Sequence, residues 1–146
     1  MAALGSAGRS RWEHFEHGAD IGVRGYGPTL AEAFEQTALA LAAAVTDLRN
    51  VTAKQAVEIR CEAPDAELLL VDWLNALIYE MATRNICFAR FRVELDGLRL
   101  RGHGWGEPID AARHDLVVEP KGATYTALRV ARAADGLWLA QCVIDV

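Results

Sequence analysis

Polar and apolar residues alternate through WEHFEH, residues 12–17, and more loosely through DIGVRGY, residues 20–26. A Gly-containing turn separates them, the pattern of two adjacent strands whose side chains point to opposite faces in turn. The period then changes. In GPTLAEAFEQTALALAAAV, Leu30, Phe34, Ala38, Leu41 and Val45 recur on one helical face, and Thr29 with Glu32 three residues on forms a capping box. After the polar stretch LRNVTAKQ, AVEIRC returns to strand period with Val57, Ile59 and Cys61 on one face. A second helix follows in PDAELLLVDWLNALIYEMATR, where Asp65 is the N-cap and Leu70, Trp73, Leu74, Leu77, Ile78 and Met81 keep the i, i+3, i+4 spacing without a break.

Strand patterns dominate the rest. FARFRVEL and LRLRGHGW flank Asp96-Gly97, a dipeptide suited to a tight hairpin because glycine accepts a positive φ. TYTALRVAR and LWLAQCVIDV flank AADG and make a terminal hairpin that ends on Asp145 and Val146. Two helices among six or seven strands predict an α+β fold: two layers, with both helices packed on one face of a mixed or mostly antiparallel sheet. No linker, repeat or low-complexity tract divides the chain, so residues 12–146 are expected to form one domain behind a short flexible tail over residues 1–11.

Composition narrows the function. The 146 residues are 52% hydrophobic and carry a formal net charge of -5, enough apolar surface for one core but the wrong overall sign for a protein whose main work is gripping a nucleic-acid backbone. The three cysteines lack CxxC spacing and read as small buried thiols. The start MAALGSAGRSR has no apolar signal core, so a cytoplasmic protein is expected, and GYGPTL is neither of the glycine-rich phosphate loops. Trp73, Trp105 and Trp138 read as packing residues, not as a base-stacking platform, because basic residues do not alternate with them along one strand face.

The carboxylates at element ends carry the candidate chemistry. Asp20 opens the second strand and Asp145 closes the last one, followed at once by Val146 and its charged terminus. Were those strands close, their anionic oxygens would repel one another unless a proton or hard cation neutralised them. His17, Glu107, Asp110 and His114 are candidates for outer ligand-orienting or partner-contact roles, and Lys121 for meeting a phosphate or an acidic group. A metal-dependent hydrolase acting on a small phosphorylated substrate and a generic chaperone or RNA-processing accessory protein are both open readings of these residues.

HGADIGVRGYGPTLAEAFEQTALAL, LLLVDWLNALIYE, GEPIDAARH, KGATYT and VIDV occur in order between His17 and Val146. Together they resemble the archease family. The resemblance implies a small cytoplasmic, monomeric protein without catalysis of its own that assists an RtcB-type RNA ligase in tRNA splicing or RNA repair. It would promote the ligase's guanylylation and multiple turnover, and would meet RNA only through the ligase. By position, the family's metal-site aspartates match Asp20 and Asp145, with a main-chain oxygen from Val146, and its required lysine matches Lys121. Oxygen-only ligands favour a hard divalent cation, calcium first and magnesium or manganese after it. The chain departs from the family pattern at Gly18, often Thr, and at Thr126, often His. Loss of the hydroxyl beside Asp20 is expected to lower metal affinity. A C-terminal extension of a few residues is expected to weaken metal binding without unfolding the domain; a tagged protein that binds metal normally would remove the Val146 terminus from the ligand set.

Overall fold

The computed structural model describes residues 9–146, and the expected tail therefore falls largely on residues outside the described ones. Strand β1 spans Arg11–His17 and β2 Asp20–Gly27, joined through Gly18, whose φ of 60° is the left-handed value that favours glycine. Helix α1 covers Leu30–Val45, with the Thr29 hydroxyl accepting from the Glu32 amide at 3.1 Å, as a capping box predicts, while the Glu32 carboxylate accepts from the Thr29 hydroxyl and not from the Thr29 amide of the full box. Strand β3 is Gln55–Glu62 and helix α2 is Ala66–Arg84. Asp65 caps the N-terminus of α2 and Asn85, at a φ of 53°, ends it. Strands β4 (Ile86–Asp96) and β5 (Arg99–Pro108) form the predicted hairpin about Gly97, at a φ of 61°. Three further strands close the chain: β6 (Gly122–Ala123), β7 (Arg129–Arg132) and β8 (Trp138–Asp145).

The fold is α+β with two helices, and its strands divide into two antiparallel sheets where one was expected. The first runs β1-β2-β8-β6, with β7 also paired to β8; the second runs β3-β5-β4. The division has a visible cause, because helix side chains occupy strand-edge groups that another strand would need. Glu35 of α1 accepts the Val93 amide of β4 at 2.8 Å. On the other sheet, Asn75 and Glu67 of α2 accept the amides of Ala123 and Val130 at 2.8 and 3.3 Å. The expected strand TYTALRVAR is likewise interrupted, since Ala127 adopts a left-handed φ of 54° and the chain bulges between β6 and β7.

Helix α1 packs on β2 and β8 of the first sheet and along β4 of the second, so its apolar stripe is buried from two sides. Phe34, Leu41, Leu69, Leu70, Trp73, Leu74 and Leu77 are fully buried. The Trp73 indole N–H donates to the Phe34 carbonyl at 3.2 Å, which satisfies a polar handle that the core would otherwise strand. Cys87 and Cys142 are buried and Cys61 half-buried, all three free, and burial pushes the Cys142 thiol up to about 12. Among the described residues, no helix is long and apolar enough to cross a membrane.

The backbone of α1 comes close to β2 because Gly25 has no side chain there. A Cβ at Gly25 would run into the Thr37 nitrogen and the Ala33 carbonyl, both backbone atoms with no freedom to yield. The Thr37 hydroxyl lies 2.8 Å from Ala33 O and 3.1 Å from Ala140 O, linking α1 to β8 at the same level.

A buried ionic network fixes the loop that leads from β5 to β6. The Glu107 carboxylate, 1% exposed, accepts from the Thr52 amide at 2.7 Å, the Arg113 guanidinium at 2.6 Å and His114 Nε2 at 3.0 Å. His114 Nδ1 accepts the Asp110 amide at 2.9 Å, so its ring proton must sit on Nε2, where it meets Glu107. The Thr52 amide first, then His114 and Arg113, hold the Glu107 carboxyl down to about 2. The ordinary carboxyl value is about 4.3. The stability this provides is therefore fully present above the ordinary value and lost as pH falls through about 2.

Two measurements check these contacts. Gly25→Ala should cost about 1–3 kcal/mol or more in urea unfolding, because neither backbone neighbour can retreat. Glu107→Gln should lower the melting temperature by several degrees at neutral pH, and its stability should change less than that of the parent between about pH 4.5 and pH 2.

Candidate functional site: a carboxylate corner at one end of the larger sheet

The corner begins with strand register. Across β1 and β2, His17 stands opposite Asp20, and across β2 and β8, Ile21 stands opposite Ile144. One step further along that antiparallel register places Asp20 opposite Asp145, and Gly122 of β6 is the partner of Asp145 on its other side. His17, Asp20, Asp145 and Gly122 thus form one lateral row at the end of the sheet. Residues directly opposite in a ladder share a face, so the side chains of His17, Asp20 and Asp145 emerge together. Their face is the one turned away from α1, since Val23, Gly25, Ala140 and Cys142 face the helix and the core.

The end of β8 is tied down by three contacts. The Lys121 amide donates to the Asp145 carbonyl at 2.7 Å, the Val146 amide lies 3.4 Å from Asp20 Oδ1, and the Val146 side chain packs against the core. Asp145 is exposed and Asp20 half-buried, so the carboxylates open to solvent from a fixed backbone. Lys121 is exposed and joins the corner through its main chain.

The row holds only oxygen-bearing anionic groups and one imidazole. Among the described residues, no group of three or more His, Cys, Asp or Glu side chains is placed to hold a metal ion. A hard cation at this corner would therefore draw on the Asp20 and Asp145 carboxylates with main-chain oxygen from Val146 and water. That donor set fits calcium, magnesium or manganese in chemistry, and it depends on the Val146 main chain to exceed two protein ligands. The contact between the Val146 amide and Asp20 already brings that main chain against one of the carboxylates.

Glu107, Asp110 and His114 lie elsewhere, on β5 and the loop beyond it. Their hydrogen bonds among the described residues are spent on Thr52, Arg113, Ala112 and one another, and none reaches Asp20, Asp145 or Val146. Two residues that spacing did not single out do belong to the corner. Asn75, exposed on α2, holds β6 in place through the Ala123 amide, and the Thr124 hydroxyl donates to the Val143 carbonyl at 2.8 Å. A polar side chain at Asn75 inside the strongest apolar helix pattern was the only signal for it.

Similarity to known proteins shows the fold and the family. Residues 12–146 match the model of the Archease protein family (MTH1598/TM1083). A protein archease from Pyrococcus furiosus is 41% identical over 140 residues, covering 93% of this chain and 99% of that protein. One from Methanosarcina acetivorans is 38% identical over 141 residues, covering 93% and 96%. The solution structure of Methanobacterium thermoautotrophicum protein 1598 superposes with a TM-score of 0.81 at 33% identity, covering 92% of this chain and 98% of that one. A Thermotoga maritima crystal structure described as an archease, possible chaperone, shares the fold with a TM-score of 0.60 at 19% identity, covering 92% and 96%. The chain belongs to the archease family.

Proposed function

We propose that this protein is a metal-binding accessory factor that activates an RtcB-type RNA ligase, raising the ligase's guanylylation and its multiple turnover. The observation that carries the reading is the row formed by β2, β8 and β6, which joins Asp20, Asp145 and the main chain of Val146 at one exposed end of a rigid sheet. A bound divalent cation would supply positive charge next to the phosphates or carboxylates of a ligase. Asp20 and Asp145 would orient it, and their strands hold both carboxylates without rearrangement on docking. Lys121, exposed and joined to the Asp145 carbonyl through its own amide, would meet a phosphate or an acidic group of the ligase. The net charge of -5 suits a factor whose main contact is with the ligase and not with a nucleic-acid backbone.

His17 favours one second reading, because its imidazole stands in the same row as Asp20 and could serve as a base for metal-dependent hydrolysis of a phosphorylated small molecule. Phosphatase activity of the isolated protein, abolished by chelation and by His17→Ala, is the result that would favour it over the accessory role.

Joining of RNA ends by a cognate ligase, with and without this protein, tests the main reading. Stimulation is expected with the parent and should largely vanish with Asp145→Asn, whose cation affinity should drop by at least about tenfold. Lys121→Ala should keep cation affinity and lose stimulation. A ligase indifferent to the parent protein would refute the accessory role, and full stimulation by Asp145→Asn would refute the part given to the cation.

A further inference from the structure

The outer face of the smaller sheet carries chemistry that the carboxylate corner does not use. Its rows, read across β3, β5 and β4, are Ala56, Trp105 and Arg90, then Glu58, His103 and Arg92, with two further rows of alternating charge beyond them. The opposite face is the core face, where Gly102 lies against Trp73 and Gly104 against Phe88, so both helices leave the outer face uncovered among the described residues. Trp105, which reads in sequence as a packing residue without basic neighbours, acquires them across the sheet.

The Arg90 guanidinium sits 4.5 Å from the centre of a Trp105 ring, and His103 stacks on Trp105 with ring centroids 5.7 Å apart and planes 26° from parallel. A β-bulge creates the first contact. Between Phe88 and Arg90 the register shifts by one, leaving Ala89 unpaired and turning Arg90 outward over Trp105, where an unbroken register would have put Ala89.

Charge along this face is uneven. Glu58 of the second row is drawn toward the far rows, meeting Arg101 and Arg60 at 2.9 and 3.3 Å with His103 3.4 Å away, and Arg99 meets Glu62 at 2.8 Å. Arg90 and Arg92 form no ion pair among the described residues, so the end of the face that holds the two stacked rings is also its positive end. A cleft of about 600 Å³ adjoins it, walled on the sheet side by Trp105, Phe91, Arg90, Arg92 and Glu94, the last standing opposite Arg101, and on the other side by Glu32 and Glu35 of α1. Both of those carboxylates are engaged, Glu32 by the Ser10 and Thr29 hydroxyls and Glu35 by the Val93 amide. Phosphates would therefore meet Arg90 and Arg92 on the open sheet face, outside the cleft and its carboxylates.

We infer that this face is a docking surface for single-stranded RNA, against the expectation that RNA is met only through the ligase, with bases stacking on Trp105 and His103 and backbone phosphates meeting Arg90 and Arg92. Flat rings on an open antiparallel sheet, flanked by arginines without carboxylate partners, match the two demands of an unpaired strand, a π-surface for each base and positive charge for the backbone. The choice of RNA over other single strands rests on the proposed role beside an RNA ligase. The net acidity of the whole chain restricts the contact to a short stretch, because the positive region is local.

Fluorescence anisotropy with a short labelled oligouridylate, using the full chain without ligase, tests this. The parent should bind with an affinity that falls as salt rises, and should bind a duplex of similar length more weakly. Trp105→Ala should weaken binding about tenfold. Arg92→Gln, at an exposed position, should flatten the slope of log affinity against log salt by about 0.7 while leaving the melting temperature close to that of the parent. Arg99→Gln, paired to Glu62 at the far end of the same face, should leave binding unchanged. Absence of salt-dependent binding at low ionic strength overturns the inference, as does binding that survives both Trp105→Ala and Arg92→Gln, or docking of a protein partner on this face without RNA. Because no ligase is present, the outcome is independent of whether the protein stimulates joining.

Discussion

The pairing of β2 with β8 is the constraint on which the corner depends. These strands lie far apart in sequence, and only their antiparallel register sets Asp20 against Asp145. A slip by one residue would turn Asp145 toward α1 and carry Cys142 and Ile144 out of the core. Several contacts oppose that slip. Arg24 bonds Gln141 at 2.7 Å and Glu13 at 2.9 Å within one row of β1, β2 and β8, and the Thr37 hydroxyl reaches Ala140 from the helix above. Gly25 lets α1 settle directly on this pair of strands.

The other elements can be understood as supports for the same end of the sheet. Helix α2 closes the far edge by offering Asn75 and Glu67 to the amides of β6 and β7, so the segment bearing Lys121 is held without a further strand. The chain reaches that segment through the 109–121 loop, anchored at its start by the Glu107–His114–Arg113 network and bonded to α1 through the Val117 amide and the Val45 carbonyl. A buried carboxylate with three donors is costly to disturb, which suits a loop that must deliver Lys121 to a fixed place.

Local order was legible in the sequence. Thr29 and Glu32, Asp65, and Asp96-Gly97 announce a capping box, an N-cap and a hairpin through chemistry that acts over a few residues; the two N-caps and the hairpin are present, the box only in its Thr29 half. The division into two sheets was not legible, because it depends on Glu35, Asn75 and Glu67 reaching strand edges distant in sequence. For the same reason, periodicity could place Asp20 and Asp145 only at separate strand ends, and the family resemblance is what suggested a shared site. Glu107 and His114 were visible as chemically capable residues, but their mutual bond across a loop left no periodic trace. In LRLRGHGW the glycines at 102 and 104 do mark the core face, and with it the outward direction of Trp105.

The central claim is that Asp20 and Asp145 act as one cation site because of the β2–β8 register. Calorimetric titration of calcium into the parent, Asp20→Asn, Asp145→Asn and the double variant measures this as a coupling between the two positions. The account predicts that either single substitution removes nearly all the binding that the double substitution removes. Independent, additive losses, or a parent protein that binds no calcium, magnesium or manganese, would contradict it.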